Sequence, residues 1–127
     1  MLNKRQKFGE KGEEIAVRHL KKVGYKIIET NYRTKLGEID IIAQDKDTIV
    51  FAEVKTRTSL LFGRPIEAVT MDKRYLITRG ALEWLRMLDF APQSFRFDVV
   101  EVILADGEAP KLNLVRDAFE LPEPFIY

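Results

Sequence analysis

The fold of this chain is decided by residues 37–57, which read GEIDIIAQDKDTIVFAEVKTR. Two apolar runs, at about residues 38–44 and 48–55, are rich in Ile, Val and Phe, which favour β-strands. Between them lies Asp45-Lys46-Asp47, a polar triplet typical of a tight turn. The stretch therefore predicts a β-hairpin.

Charged side chains interrupt both apolar runs: Asp40 lies in the first, and Glu53 and Lys55 lie in the second. Because side chains alternate along a strand, Glu53 and Lys55 share one face. A two-residue loop at residues 46–47 would set Asp40 opposite Glu53 and Glu38 opposite Lys55, with Cβ atoms about 5 Å apart. A shift of one residue would instead send Asp40 to the other face of the sheet.

Two carboxylates that face each other repel, so this arrangement adds no stability by itself. A divalent cation between Asp40 and Glu53 would turn this repulsion into a net attraction, because hard carboxylate oxygens suit Mg²⁺ or Mn²⁺. Lys55 would then hold an anion beside the metal. Such a site can cleave phosphodiesters, since the metal activates water and the lysine stabilises developing charge.

The N-terminal segment, about residues 4–23, carries apolar side chains at helical spacing. On this helix Glu13 falls at the edge of the apolar arc, whereas Glu14 falls on the solvent side. We therefore expect Glu13 to lean toward the sheet as a third carboxylate, a ligand of the metal or of its water; an ordinary boundary glutamate is the alternative. Gly9 and Gly12 each disfavour a helix by about 1 kcal/mol, which close approach of another backbone or a phosphate would explain.

The remaining periodicities predict three more strands and a second helix, so that the element order is α-β-β-β-α-β-β. The strands are expected at about residues 25–29, 95–104 and 111–116, and the helix at about 70–88 with Thr70 as its N-cap. A crossover helix between strands implies an α/β fold with a mixed β-sheet flanked by helices. We expect one domain over residues 1–127, with a core of about 9–116 and an acidic, aromatic tail of 117–127.

Basic residues concentrate at the start of the chain: residues 1–35 hold ten Lys and Arg against four Asp and Glu, and residues 98–127 hold two against seven. Contacts to nucleic-acid phosphates are predicted for Arg33, Lys35, Arg57 and Lys73. The alternative is a set of solvated surface charges with an acidic tail.

Further short motifs accompany the hairpin in a fixed order. They are Gly12-Glu13, Gly24-Tyr25, Asn31-Tyr32-Arg33, Gly37-Glu38-Ile39-Asp40, residues 51–57 and Arg96-Phe97-Asp98-Val99. Asp40 followed by Glu53-Val54-Lys55 resembles the Asp…(Asp/Glu)-x-Lys core of the PD-(D/E)xK nuclease superfamily. Over roughly residues 9–103 the whole set resembles the YraN-like family of small bacterial proteins, which is similar in layout to archaeal Holliday junction resolvases.

This resemblance implies a restriction-endonuclease-like core and a divalent-metal-dependent endonuclease acting on DNA. Its catalytic residues would be Glu13, Asp40, Glu53 and Lys55. Mg²⁺ or Mn²⁺ would be held by Asp40, Glu53 and the backbone carbonyl of Val54, with Glu13 in the outer shell. The DNA would be branched or single-stranded, RNA stays open as a substrate, and symmetric cleavage of a junction would require a homodimer. The alternative is a non-catalytic module that binds nucleic acid or a partner protein.

The composition, with 46% hydrophobic and 32% charged residues, is ordinary for a globular domain. The absence of cysteine excludes disulfides and zinc–thiolate sites, and a single histidine excludes a multi-histidine metal site. No apolar run approaches the roughly 18 residues of a membrane-spanning helix. The polar, basic N-terminus lacks the apolar segment of a signal peptide, so we expect a cytoplasmic protein without a membrane partner.

Overall fold

The computed structural model describes residues 2–89 and 94–125. Its elements are α1 (Lys4–Lys22), β1 (Lys26–Arg33), β2 (Glu38–Asp45), β3 (Thr48–Arg57), a short 3₁₀ helix (Pro65–Ala68), α2 (Met71–Arg86), β4 (Ser94–Ile103) and β5 (Lys111–Phe119). The predicted element order is confirmed, with the 3₁₀ helix as an addition.

All five strands form one sheet in the order β1-β2-β3-β4-β5. Three neighbouring pairs are antiparallel, and only β3 and β4 run parallel. A parallel pair needs a crossover connection, which α2 supplies here. The chain is therefore a mixed α/β fold, as predicted, and is compatible with a nuclease-like core.

Apolar side chains cover both faces of the sheet, with one helix on each. On the α2 face the core includes Ile42, Ile49, Phe51, Phe97 and Val99 against Ile77, Ala81, Trp84 and Leu85. On the α1 face it includes Ile41, Ala43, Val50, Ala52 and Val100 against Ala16 and Leu20. Because both faces are covered, β3 and β4 are buried over most of their length. No helix among the described residues is long and apolar enough to cross a membrane.

The hairpin register agrees with the prediction from the two-residue turn. Asp45 pairs with Thr48, and the pairing continues without a shift to Ile41 and Ala52. It ends there, although β2 begins at Glu38 and β3 continues beyond that point. The two strands are thus unpaired with each other along the part that carries the charged residues.

Two strands, β1 and β5, extend three or more residues beyond their predicted ends. β1 continues through Arg33 instead of ending near Glu29, because Tyr32 and Arg33 still pair with β2. It is an edge strand and most of its side chains are exposed, so its polar end resembles a loop in the sequence. β5 continues to Phe119, whose ring stacks on Phe97 at 4.8 Å between centroids. Residues 126 and 127 of the predicted tail lie outside the described ranges.

The two glycines of α1 have different surroundings. A Cβ at Gly12 would overlap the hydroxyl of Thr56 on β3 and lie 3.0 Å from its Cβ. Gly12 therefore lets α1 approach the sheet closely, although its neighbour is a side chain and not the predicted backbone or phosphate. A Cβ at Gly9 would meet nothing within 4 Å, so packing does not require that glycine.

We predict opposite effects of alanine at these two positions. Gly12→Ala is expected to lower the free energy of unfolding by about 2 kcal/mol, because the new methyl group collides with a buried β-branched side chain. Gly9→Ala, in the same helix, is expected to raise it by about 0.5–1 kcal/mol through helix propensity alone. Urea denaturation of both variants measures these changes. Wild-type stability in Gly12→Ala would contradict the close contact between α1 and β3.

Candidate active site

A cleft of about 910 Å³ opens where β2 and β3 cease to pair. The charged side chains from α1, the strands and α2 that line it include Glu13, Arg33, Glu38, Asp40, Glu53, Lys55, Arg57 and Lys73. The four residues predicted to be catalytic therefore share one cleft with three of the four predicted phosphate contacts. Lys35 is exposed and is not part of this lining.

Asp40 occupies the point where the ladder between β2 and β3 stops. Its Oδ2 accepts a hydrogen bond of 2.9 Å from the backbone N–H of Val54. This hydrogen bond to a side chain takes the place of a backbone hydrogen bond between the strands, and it connects β2 to β3 across the opening. The Asp40 carboxyl group lies close enough to both Glu13 and Glu53 to raise the pKa of each. Asp40 is therefore a close neighbour of both Glu13 on α1 and Glu53 on β3.

Glu53 is the most deeply buried acid of the cleft, with 2% of its surface exposed. Its Oε2 lies 3.2 Å from the Nζ of Lys73 and 3.6 Å from the Nζ of Lys55. Its Oε1 is buried without a hydrogen-bond partner. Burial, followed by the neighbouring carboxyl group of Asp40, raises the pKa of Glu53 to about 8, although both lysines oppose the rise.

Glu13 is half-buried, whereas Glu14 is exposed, in agreement with the predicted faces of the helix. Burial and then the charge of Asp40 raise the pKa of Glu13 to about 7, and the nearby charge of Arg33 opposes this rise. α1 can place this side chain against the sheet because the preceding Gly12 is in contact with β3.

Glu38 is an ion-pair partner, but not of the predicted residue Lys55. Its carboxylate accepts hydrogen bonds from Arg33 and Lys73. The hydrogen bond from Lys73 is the main reason that the pKa of Glu38 is lowered. The prediction was wrong because β2 and β3 separate before this position, which leaves Glu38 facing the N-terminal turn of α2.

Lys73 links α2 to both acidic strands of the hairpin. Burial lowers the pKa of Lys73, but the charges of Glu53 and Glu38 outweigh burial, so the pKa is raised and the ammonium stays charged. Its side chain is only 20% exposed. Lys73 therefore serves first as a counter-ion of the acids, and its predicted contact with a phosphate stays a prediction.

Asp40 and Glu53 are suitable donors for a hard divalent cation. Among residues 2–89 and 94–125, no group of three or more His, Cys, Asp or Glu side chains is arranged to hold a metal ion. Mg²⁺, however, keeps several of its waters and often binds through one or two carboxylates. The buried, unpartnered Oε1 of Glu53 beside Asp40 fits that mode of binding.

Two polar networks outside the acid cluster were not foreseen. Buried Glu101 accepts hydrogen bonds from the Arg64 side chain, the Ile66 backbone N–H and Asn113. Buried Asp98 accepts from several partners: Tyr25, Arg96 and the backbone N–H of Asp117. Both connect segments far apart in the chain, so no local pattern in the sequence indicates them.

Comparison with known proteins identifies the family to which the chain belongs. Residues 12–102 match the family described as "Uncharacterised protein family UPF0102". The chain belongs to the UPF0102 family. Relatives named UPF0102 protein are 48% identical in Desulfosudis oleivorans (94% of this chain and 95% of that protein) and 49% identical in Caldicellulosiruptor saccharolyticus (93% and 100%). A third, from Geotalea uraniireducens, is 50% identical over 89% of each chain.

Membership of UPF0102 confirms the resemblance to the YraN-like family, which occurs in many bacteria. The UPF0102 names state no activity and no ligand.

We predict that removing the charge of Glu53 stabilises the metal-free protein. A folded-state pKa above the ordinary 4.5 means that the stability from protonated Glu53 is complete below pH 4.5 and is lost as the pH rises through about 8. Glu53→Gln should therefore raise the free energy of unfolding at pH 8 by about 2 kcal/mol, with a smaller gain at pH 5. Urea denaturation in EDTA at the two pH values measures the change.

Glu38→Gln is the matched control, because its pKa is shifted in the opposite direction. The stability from ionised Glu38 is present above pH 4.5 and is lost as the pH falls. This substitution should therefore lower the free energy of unfolding at pH 8, by up to about 1 kcal/mol for a partly exposed ion pair. A loss of stability in both variants would show that the ion pairs of Glu53 outweigh its burial.

Proposed function

We propose that this protein is a divalent-metal-dependent endonuclease that hydrolyses phosphodiester bonds in DNA. The observation that carries the proposal is the carboxyl group of Glu53, buried with one unpartnered oxygen beside Asp40 and with two lysines facing its other oxygen. A buried unpartnered oxygen costs about 1–3 kcal/mol. A cation bound at this oxygen would remove that cost.

The metal would be Mg²⁺ or Mn²⁺, held by Asp40 and Glu53, with the Val54 carbonyl as a further ligand. A bound ion would supply Lewis-acid polarisation of a phosphoryl oxygen and activation of water. Glu13, held half-buried by α1, would orient water in the outer shell through its carboxylate. The N–H of Val54 fixes the position of Asp40, so the ligand does not have to be ordered on binding.

The lysines would act on the anionic substrate. Lys55 lies beside Glu53 with 22% of its side chain exposed, so its ammonium group can reach both a phosphate oxygen and the attacking water. Lys73 would contact the phosphate from the other side of Glu53, and its ion pair with Glu38 would keep its ammonium group in position. Positioned cations of this kind stabilise charge that develops in the transition state.

Charge balance favours a substrate that binds together with the metal. The cleft lining holds five acidic and five basic side chains, so its charges balance overall when all groups are ionised. The negative charge is local, because the cluster of Glu13, Asp40, Glu53 and Lys55 has three carboxylates and one ammonium and would repel a DNA backbone. A divalent cation would neutralise this cluster and permit a phosphate to approach.

DNA is the proposed substrate because basic side chains extend along the cleft beyond the acidic cluster, where they can contact further phosphates of a nucleic-acid backbone. Arg33 and Arg57 line the same cleft, and Lys35 is exposed on the loop that follows Arg33. The resemblance to archaeal Holliday junction resolvases favours branched DNA, cut by a homodimer in the cytoplasm. RNA of the same sequence is the comparison substrate, since no residue of the cleft has been assigned to a 2′-hydroxyl.

We expect one saturable Mn²⁺ site by isothermal titration calorimetry. Asp40→Asn should abolish the heat of binding, whereas Asp47→Asn, an exposed turn residue of the same hairpin, should not change it. Because protons compete with the metal for Glu53, the affinity should fall by at least about 10-fold from pH 8 to pH 6. Identical titrations of wild type and Asp40→Asn would remove the metal site from the proposal.

We expect wild-type protein with Mg²⁺ or Mn²⁺ to cleave a four-way DNA junction or a linear duplex. Glu53→Ala, Asp40→Ala and Lys55→Ala should each lower the rate by about 100-fold or more, and Asp47→Ala should retain it. Gel analysis of end-labelled DNA measures the rates. Equal rates in wild type and Glu53→Ala would overturn the assignment, and tight DNA binding without any cleavage would favour a non-catalytic binding module.

A further inference from the structure

The turn that follows β3 presents three consecutive apolar side chains to solvent. Leu60 is 58% exposed, Leu61 is 80% exposed and Phe62 is 97% exposed. Single exposed apolar residues are common on protein surfaces, but a contiguous set usually marks an interaction surface. Among the described residues, neither apolar cluster includes any of these three side chains, so packing in the core does not account for the turn.

Backbone and side-chain hydrogen bonds fix the shape of the turn. The Gly63 N–H donates to the Leu60 carbonyl at 3.0 Å, and the Leu61 N–H donates to Ser59 Oγ at 3.3 Å. Gly63 has a φ of 106°, which favours glycine. Leu61 and Phe62 therefore project from the tip of a turn that is already formed.

The base of the turn is anchored to the sheet. The Arg64 guanidinium donates to Glu101 at 2.8 Å, and its backbone N–H donates to the Glu67 carboxylate. Glu101 is 4% exposed and also accepts from the Ile66 N–H at 2.9 Å. The buried network around Glu101 thus holds the C-terminal side of the turn against β4.

Phe62 lies at the continuation of the acid cleft. It lines a second cavity of about 310 Å³ together with Arg57 and Thr58, and both of these residues also line the acid cleft. Arg57 is exposed, and among the described residues it forms no ion pair with a carboxylate. A chain of nucleotides whose phosphates contact Lys55 and Arg57 would bring its bases toward Phe62.

We propose that Phe62, supported by Leu61, stacks on an unpaired nucleobase of DNA bound in the cleft, so that this turn selects DNA with unpaired bases. The inference rests on the proposed function, since it needs DNA phosphates along the cleft. An exposed aromatic ring offers a stacking surface to any base. Bases inside a duplex are already stacked and must first be extracted, whereas unpaired bases are available without that cost.

Nucleic acid fits this surface better than a second copy of the chain does. A stable protein interface takes about 20–30 residues from each partner. Three apolar side chains at the tip of one turn fall far short of that number. The neighbouring free charge of Arg57 also suits an anionic polymer.

Binding without cleavage tests the proposal. Fluorescence anisotropy with Ca²⁺ in place of Mg²⁺, which supplies the same charge to the acid cluster, would compare a DNA duplex carrying an unpaired loop with a fully paired duplex of the same arms. Phe62→Ala should weaken binding to the looped DNA about 10-fold and leave binding to the paired duplex unchanged. Phe62→Trp should restore the affinity. Met87→Ala, an exposed apolar residue at the end of α2, is the matched control and should bind as wild type does.

A second measurement reports stacking directly. 2-Aminopurine placed in the unpaired loop should lose fluorescence on binding wild type and the Trp variant, but not on binding Phe62→Ala. Unchanged affinity and unchanged quenching in Phe62→Ala would overturn the proposal. So would light scattering that shows a wild-type dimer converted to a monomer by this substitution without any change in quenching, since the turn would then be a surface for self-association.

The two proposals fail separately. If Phe62-dependent binding is observed but no metal-dependent cleavage occurs, the stacking turn stands and the catalytic assignment falls. If the protein cleaves DNA but Phe62→Ala retains the wild-type preference for unpaired bases, only the stacking turn falls. If wild type binds neither DNA, the stacking proposal is overturned and DNA is removed as the proposed substrate.

Discussion

The burial of the Glu53 carboxyl group beside Asp40 is the constraint on which the rest of the site depends. An acid removed from water resists ionisation unless cations or hydrogen bonds replace the lost hydration. Two lysines face one of its oxygens, while the other oxygen has no hydrogen-bond partner. The fold has to bring these groups together from three elements and still leave room between them. It does so by ending the pairing of β2 with β3 at Ile41, the residue next to Asp40.

Close contacts at two glycines then bring both helices to this opening. Gly12 permits α1 to touch β3, and the next residue, Glu13, reaches Asp40. On the other face, a Cβ at Gly37 would overlap the Leu76 carbonyl and lie 2.6 Å from the Gly80 nitrogen. The start of β2 is thus in backbone contact with α2, the helix that supplies the lysine bound to Glu38 and Glu53. Because Gly12 and Gly37 have no side chains, the two helices can come close to the sheet from its opposite faces, and this sets the width of the cleft.

Local patterns in the sequence were sufficient for the hairpin, its register and the orientation of Glu13, because periods of two and 3.6 residues determine which side chains share a face. They were insufficient wherever a partner came from a distant segment. The pairing of Glu38 with Lys73 requires knowledge of how α2 crosses the sheet. The anchoring of Arg64 by Glu101 has the same origin, and the extension of β1 through Arg33 depends on pairing with β2, not on the strand propensity of its own residues.

The hydrogen bonding of the other buried acids shows how Glu53 differs from a carboxylate that only supports the fold. Asp98 is fully buried, and both of its oxygens accept hydrogen bonds, from Tyr25, Arg96 and the Asp117 backbone. Both oxygens of buried Glu101 are likewise bonded. A carboxylate that only supports the fold is therefore fully satisfied here, as is usual for buried polar groups. Among the described residues, Glu53 alone keeps a buried side-chain oxygen without a hydrogen-bond partner. Since local rules of stability tend to be broken where a protein binds or reacts, this oxygen is better explained by a ligand than by the fold.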